Sequence, residues 1–127
     1  IREELLDIQQ DSAGNDGFIT AIALNYGGRA EIVHAAQELA RLAVDGDISC
    51  NDISEVLIEQ HLYTKEMPPL DLVIRPSGEQ RLSNFLIWQA AYAEFLFMDV
   101  LWPDFTKKEL EYAVEVYASR NRRYGGV

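Results

Sequence analysis

The sequence has few of the residues that support redox or metal chemistry. Its single cysteine, Cys50, cannot form an internal disulfide, and its two histidines, His34 and His61, lie in helical patterns without the spacing of metal ligands. Cys50 stands in a polar Ser-Cys-Asn-Asp context away from both histidines, so a metal or nucleophile role is not expected. A reducing cytoplasm is the expected location.

Long apolar runs and positive charge are also scarce. No run of about 18 apolar residues could span a bilayer, and no charged segment followed by an apolar one indicates secretion. The 11 Lys and Arg residues stand against 21 Asp and Glu residues, a formal net charge of −10. Because affinity for nucleic acids comes mostly from Lys and Arg that neutralise phosphates, no nucleic-acid partner is expected.

Short apolar segments alternate with helical patterns, which predicts an α/β fold with a parallel sheet. We expect strands over residues 18–24, 72–74 and 94–98. Helices are expected over residues 1–10, 30–44, 52–62, 84–91 and 106–120, with capping boxes at 52–55 and 106–109. Three strands are few, since sheets average about 5–6 strands. Further strands are therefore expected to come from elsewhere.

Residues 71–85, DLVIRPSGEQRLSNF, have the outline of an anion site. An apolar strand ends on Arg75, the chain turns over a Ser-Gly pair, and Arg81 and Ser83 follow where a helix is expected. Ligands of open parallel sheets bind beyond the carboxyl ends of the strands. Two guanidinium groups match phosphate oxygens, so a phosphate-bearing substrate is predicted. A salt bridge for Arg75 and an N-cap role for Ser83 are the simpler alternatives.

Several motifs resemble, in the same order, those of cis-prenyltransferases, bacterial undecaprenyl diphosphate synthase in particular. They are NYGGR at residues 25–29, RPSGEQRLSNF at 75–85, WQAAYAE at 88–94, DVLWPDF at 99–105 and RRYGG at 122–126. The resemblance covers essentially the whole chain, but only the second half of the family's catalytic domain. It implies that residues 1–127 are the C-terminal half of one catalytic domain whose N-terminal half is absent. The start on Ile1, inside a helical pattern, also indicates truncation.

The resemblance implies an enzyme that joins isopentenyl diphosphate to an allylic diphosphate, farnesyl diphosphate, with a new cis double bond. The implied product is a long-chain polyprenyl diphosphate, undecaprenyl diphosphate, which carries cell-wall sugars and partitions into the membrane. Mg²⁺ is the implied cofactor, a homodimer the implied assembly, and the inner membrane face an implied peripheral location. The family's essential aspartate lies in an Asp-Gly-Asn-Gly-Arg motif that this chain lacks, so the fragment alone is expected to be inactive.

Matching positions imply roles for individual residues. Arg75, Arg81, Leu82 and Ser83 are the implied ligands of isopentenyl diphosphate. Glu94 is the implied magnesium-linked carboxylate, although a surface or strand-edge carboxylate is the simpler interpretation from the residues alone.

Three further positions can be compared with the family's motifs. Gln80 departs from the family, several members of which have a metal-associated histidine there. Arg123 and Gly125 resemble the family's Arg-x-Gly tail, which implies contact with the partner's diphosphate site across a dimer. Without the family, this tail is an exposed basic end after a helix.

Two other functions stay open at this point. One is a non-catalytic partner subunit that pairs with an active subunit and contributes its tail. The other is a generic phosphate-binding domain. The retained Arg75, Arg81 and Ser83 favour the enzyme, because a partner subunit need not keep them.

Overall fold

A computed structural model describes residues 2–120. Along these residues three α-helices precede the two strands, and a fourth α-helix follows them. In chain order the main elements are α1 (Arg2–Ser12), α2 (Gly28–Asp45), α3 (Glu55–Glu59), β1 (Leu72–Arg75), β2 (Glu94–Phe97) and α4 (Lys107–Ser119), with 3₁₀ turns at Cys50–Asp52, Gln89–Tyr92 and Trp102–Asp104.

The two strands pair in parallel, as the sequence predicts. Leu72 lies opposite Glu94, and Arg75 lies opposite Phe97. Parallel strands need a long crossover connection, and residues 76–93 provide it. The carboxyl ends of both strands, at Arg75 and Phe97, therefore share one edge of the sheet.

Helix α2 is the main helical element of the core. It buries residues at positions 28, 31, 35 and 39, a spacing that places them on one helical face. The helix ends at Gly46, whose left-handed backbone (φ 83°) lets its N–H bond back to the last turn. The prediction of a helix over 30–44 that ends at Gly46 is confirmed. The other buried apolar residues are Leu62, Ala90, Leu96 and Ala113.

One predicted capping box is confirmed and the other is wrong. At the start of α4, Thr106 N–H donates to Glu109 at 2.9 Å, and Lys108 N–H donates to Thr106 Oγ1 at 3.3 Å. Residues 52–55 form no such box, because the Asp52 carboxylate instead accepts the N–H of Ser49 at 2.7 Å. Helix α3 begins later and is shorter than predicted.

The predicted strand over residues 18–24 does not form within the described residues. This segment has no regular secondary structure and is exposed, with Phe18 96% and Ile19 76% accessible to solvent. A buried strand forms only where a neighbouring strand supplies hydrogen bonds and cover, and no strand within residues 2–120 pairs with it.

The predicted helix over residues 84–91 is also wrong. The chain makes tight turns here, with positive φ at Asn84 (66°) and Leu86 (46°), before the 3₁₀ turn at Gln89–Tyr92. The carbonyl oxygen of Asn84 accepts the N–H of Gly28 instead of an N–H of its own turn. This oxygen is therefore bonded to α2, whereas in a helix over residues 84–91 it would accept an N–H from the next helical turn.

Within residues 2–120, no helix combines the length and the apolar character needed to cross a membrane.

Candidate anion-binding site

Two arginine side chains converge at the carboxyl edge of the sheet. Arg75 ends β1, and its Nη2 lies 3.0 Å from Oε2 of Glu79. Arg81 contacts the same Oε2 atom. One carboxylate oxygen thus joins both guanidinium groups, and the structure brings together the two arginines on which the anion-site prediction depends.

Glu79 neutralises the two arginines only in part. Two guanidinium groups share this one carboxylate, so these three side chains together carry a formal charge of +1. The hydrogen bond from Arg75 and the contacts of Arg81 hold the pKa of the Glu79 carboxyl below its ordinary value, so Glu79 is ionised at neutral pH. Arg81 is 63% exposed, and pairs between exposed groups are weak in water. An external anion with more oxygens can therefore compete with Glu79.

A cavity of about 250 Å³ lies against the arginines. Arg75, Arg81 and Leu82 line it, so three of the four predicted ligands of the diphosphate meet there. The rest of the lining is mostly apolar and consists of Val73, Ile74, Pro76, Ser77, Phe85, Phe97 and Trp102. Cations beside an apolar wall suit a ligand that has an anionic head and a short hydrocarbon tail.

Ser83, the fourth predicted ligand, is exposed and has left-handed backbone (φ 48°). It is not among the residues that line the cavity. Its alternative role as an N-cap is wrong, because residues 84–91 form no α-helix.

The turn after β1 is fixed to the end of β2. Ser77 N–H donates to Val100 O and Gly78 N–H donates to Met98 O, each at 2.8 Å. Both turn residues have positive φ, 85° and 71°, and a Cβ atom at Gly78 would lie 3.1 Å from Oδ1 of Asp99. Glycine is therefore favoured at position 78.

Glu94 lies at the opposite edge of the sheet from the arginines. It begins β2, whereas Arg75 ends the neighbouring parallel strand. Its Oε2 accepts a hydrogen bond from Nη1 of Arg120 at 2.7 Å, and this Nη1 also donates to Phe95 O at 2.9 Å. The structure therefore does not bring Glu94 together with the predicted ligands of isopentenyl diphosphate.

The described residues do not by themselves fit Mg²⁺. Among residues 2–120 no group of three or more His, Cys, Asp or Glu side chains is placed to hold a metal ion. Glu94 offers one carboxylate, which is already paired with Arg120, while Mg²⁺ prefers six oxygen ligands. Gln80 is exposed. The role of Glu94 in metal binding stays a prediction, and Arg123 and Gly125 lie outside the described residues.

Sequence reasoning missed a buried carboxylate next to this region. Glu31 is fully buried in α2 and accepts hydrogen bonds from Tyr26 OH at 2.5 Å, Tyr63 N–H at 2.8 Å and Gln89 Nε2 at 3.1 Å. Burial, and after it the bond to Glu31, raise the pKa of the Tyr26 phenol far above its ordinary value. The signal was present in the sequence, because Glu31 shares the helical face of the apolar residues Ala35 and Leu39.

Comparison with known proteins agrees with the motifs. A prenyltransferase family model, described as "Putative undecaprenyl diphosphate synthase", matches residues 1–125. An isoprenyl transferase of Zymomonas mobilis is 54% identical over 116 residues, which are 91% of this chain and 47% of that protein. A ditrans,polycis-undecaprenyl-diphosphate synthase of Micrococcus luteus is 44% identical over 126 residues, 99% of this chain and 51% of that protein.

The fold has a close match among solved structures. Lavandulyl diphosphate synthase from Lavandula x intermedia, solved with dimethylallyl diphosphate, superposes with a TM-score of 0.92 at 38% identity, over 98% of this chain and 54% of that one. The chain thus spans about half the length of these relatives. Since the family model matches all but its last two residues, the chain belongs to the cis-prenyltransferase family.

Proposed function

We propose that the full-length protein containing this chain joins isopentenyl diphosphate to an allylic diphosphate, and that this chain binds the diphosphate of isopentenyl diphosphate. The observation that carries the proposal is the convergence of Arg75 and Arg81 on one carboxylate oxygen beside a cavity with apolar walls. Arg75, Arg81 and Leu82 form the binding edge, and Ser83 extends it.

The geometry fits this substrate in two ways. A diphosphate carries more charge and more oxygens than the Glu79 carboxylate, so it can take over both guanidinium groups. The isopentenyl tail is short and apolar, and Phe85 and Phe97 supply an apolar wall beside the arginines. A head held at the arginines and a tail held at this wall would fix the direction of the substrate's double bond.

Such fixing is what the reaction requires. As the allylic C–O bond breaks, its electron pair leaves with the departing diphosphate. The double bond of isopentenyl diphosphate forms the new C–C bond, and loss of a proton from the carbon next to the resulting cation forms the new double bond. The acceptor must be held so that this double bond faces the reacting carbon. Residues of this chain would bind and orient the acceptor.

We also propose a cofactor, an assembly, a primer and a product. Mg²⁺ is proposed as the cofactor because two diphosphates bring more negative charge than two arginines neutralise, with Glu94 as one ligand among others that the described residues do not supply. A homodimer with Arg123 and Gly125 at the partner's site is likewise proposed. Farnesyl diphosphate as primer and an undecaprenyl product follow the name of the Micrococcus luteus relative. The proposed product partitions into the membrane.

The relatives reported above are all named as transferases or synthases, so they give no support to a non-catalytic partner subunit.

Arg81→Ala tests the proposal in the full-length protein with farnesyl diphosphate, isopentenyl diphosphate and Mg²⁺. Loss of a charged hydrogen-bond donor costs about 1.5–3 kcal/mol, so the KM for isopentenyl diphosphate should rise at least ~10-fold. Arg41→Ala is the matched control, because Arg41 is also 63% exposed and paired with a glutamate, Glu38, but lies on α2. An unchanged KM in Arg81→Ala would remove this residue from the site.

A further inference from the structure

Helix α2 begins without a side-chain cap of its own. Its N-cap residue is Gly27, which has no side chain to accept the N–H groups of the first turn. Asn84 bonds two of these groups. Gly28 N–H donates to the backbone oxygen of Asn84 at 2.7 Å, and Arg29 N–H donates to its Oδ1 at 2.9 Å. Asn84 therefore caps a helix whose second residue, Arg29, lies 55 residues earlier in the chain.

The backbone at Asn84 is suited to asparagine. Its φ is 66°, and the preceding Ser83 has φ 48°, so both residues occupy the left-handed region. This region is unfavourable for most side chains, but asparagine tolerates it better than most. The two bonds to α2 help to offset its free-energy cost.

Two glycines permit the close approach of this segment to α2. A Cβ atom at Gly27 would lie 2.8 Å from Nδ2 of Asn84, and one at Gly28 would lie 3.1 Å from the backbone nitrogen of Ile87. Both distances are shorter than the optimal separation of about 3.5–4.0 Å between carbon atoms. A side chain at Gly28 would press on the backbone of residues 84–87, and one at Gly27 would displace the side-chain amide of Asn84.

Asn84 directly follows the segment that carries Arg81. Phe85 N–H donates to Leu82 O at 3.0 Å, which closes a turn over Ser83 and Asn84. The Phe85 ring also packs edge-to-face on Tyr26, with ring centroids 5.7 Å apart. This turn ties residues 81–83 to the first turn of α2.

We propose that Asn84 is a positioning residue that holds residues 81–83 against α2, so that Arg81 stays beside Arg75. The assignment rests on the proposed function, because the ligand that Arg81 meets is taken to be the diphosphate of isopentenyl diphosphate. The Oδ1 of Asn84 is bonded to α2, and Asn84 does not line the cavity beside the arginines, so we assign it a role through Arg81.

The test uses the full-length protein and two variants that weaken the cap in different ways. Asn84→Gly keeps the backbone oxygen and suits the left-handed conformation, but removes the side-chain acceptor. Gly27→Ala keeps Asn84 and inserts a methyl group against its amide, at a position whose φ of −150° any residue adopts. Asn51→Gly, at an exposed asparagine in the 3₁₀ turn Cys50–Asp52, is the control.

The expected result is specific to one substrate. The KM for isopentenyl diphosphate should rise roughly 3- to 10-fold in Asn84→Gly and Gly27→Ala, as for the loss of one hydrogen bond. The KM for the allylic diphosphate and kcat should change less than about 2-fold. The control should match the wild type in all three parameters.

Other results overturn distinct claims. If the wild type does not extend an allylic diphosphate with isopentenyl diphosphate, the proposed function fails and the assignment of Asn84 fails with it. If the wild type is active but neither variant changes the KM for isopentenyl diphosphate, only the assignment of Asn84 fails. Equal increases in the KM for both substrates would also overturn it. Circular dichroism checks folding, and if Asn84→Gly does not fold, Gly27→Ala decides.

Discussion

The buried carboxylate of Glu31 accepts one hydrogen bond from each of three separate parts of the chain. Tyr26, Tyr63 and Gln89 each donate one hydrogen bond to it. Because the Tyr26 pKa is raised, its phenol keeps its proton, and hence its bond, through neutral and mildly alkaline pH. The stability that this bond contributes is fully present below the ordinary phenol pKa of 10.0 and is lost as the pH rises from there through the raised folded-state pKa of Tyr26.

Glu31→Ala should be strongly destabilising, because it leaves three donors without their acceptor. A buried donor that loses its partner costs about 1–3 kcal/mol, so we expect the free energy of unfolding to fall by about 3 kcal/mol or more. Urea denaturation of the full-length protein measures this change. Glu38→Ala is the matched control on the same helix, because Glu38 is partly exposed and its loss should cost less than about 0.5 kcal/mol. Equal midpoints for the two variants would contradict the role of Glu31.

At the scale of elements, local sequence signals correctly predicted helices α2 and α4 and wrongly predicted a helix over residues 84–91. The apolar spacing of α2, with Gly46 at its end, and the capping box of α4 need only residues within four positions of one another, so both could be predicted. The helix expected at 84–91 failed because Asn84 bonds to α2, a contact that no local pattern contains.

The capping box of α4 gives a prediction at this scale. Thr106→Ala removes an N-cap worth about 1 kcal/mol, and we expect the thermal midpoint of a full-length protein of family size to fall by about 2–4 °C at pH 7. The hydrogen bonds from Thr106 lower the pKa of Glu109, so their contribution is present above the ordinary carboxyl pKa of 4.5 and is lost as the pH falls below it.

Calorimetry of wild type and Thr106→Ala at pH 7 and at pH 3.5 to 4 measures both effects. The difference between the two midpoints should shrink at the lower pH. Lys107→Ala, at a neighbouring exposed position, is the control. A difference that is equal at both pH values would contradict the role of Glu109 in the box.

At the scale of the whole molecule, the positions of the candidate site residues depend on how the strands pair. The sequence correctly places Arg75 at the end of a parallel strand, and from this the anion edge follows. Glu94 begins the predicted strand over residues 94–98, so parallel pairing alone places it at the opposite edge from Arg75, and the register of β1 and β2 confirms this. The apolar segment at 18–24 has strand composition but no partner within residues 2–120, so composition alone could not decide its structure.

A crystal structure of the full-length protein with isopentenyl diphosphate bound tests the central claim most directly. We predict diphosphate oxygens within about 2.7–3.2 Å of guanidinium nitrogens of both Arg75 and Arg81. The Glu79 carboxylate should be displaced from at least one arginine, and the hydrocarbon tail should lie along Phe85 and Phe97. A diphosphate bound elsewhere, with Glu79 still joining the two arginines, would contradict the account.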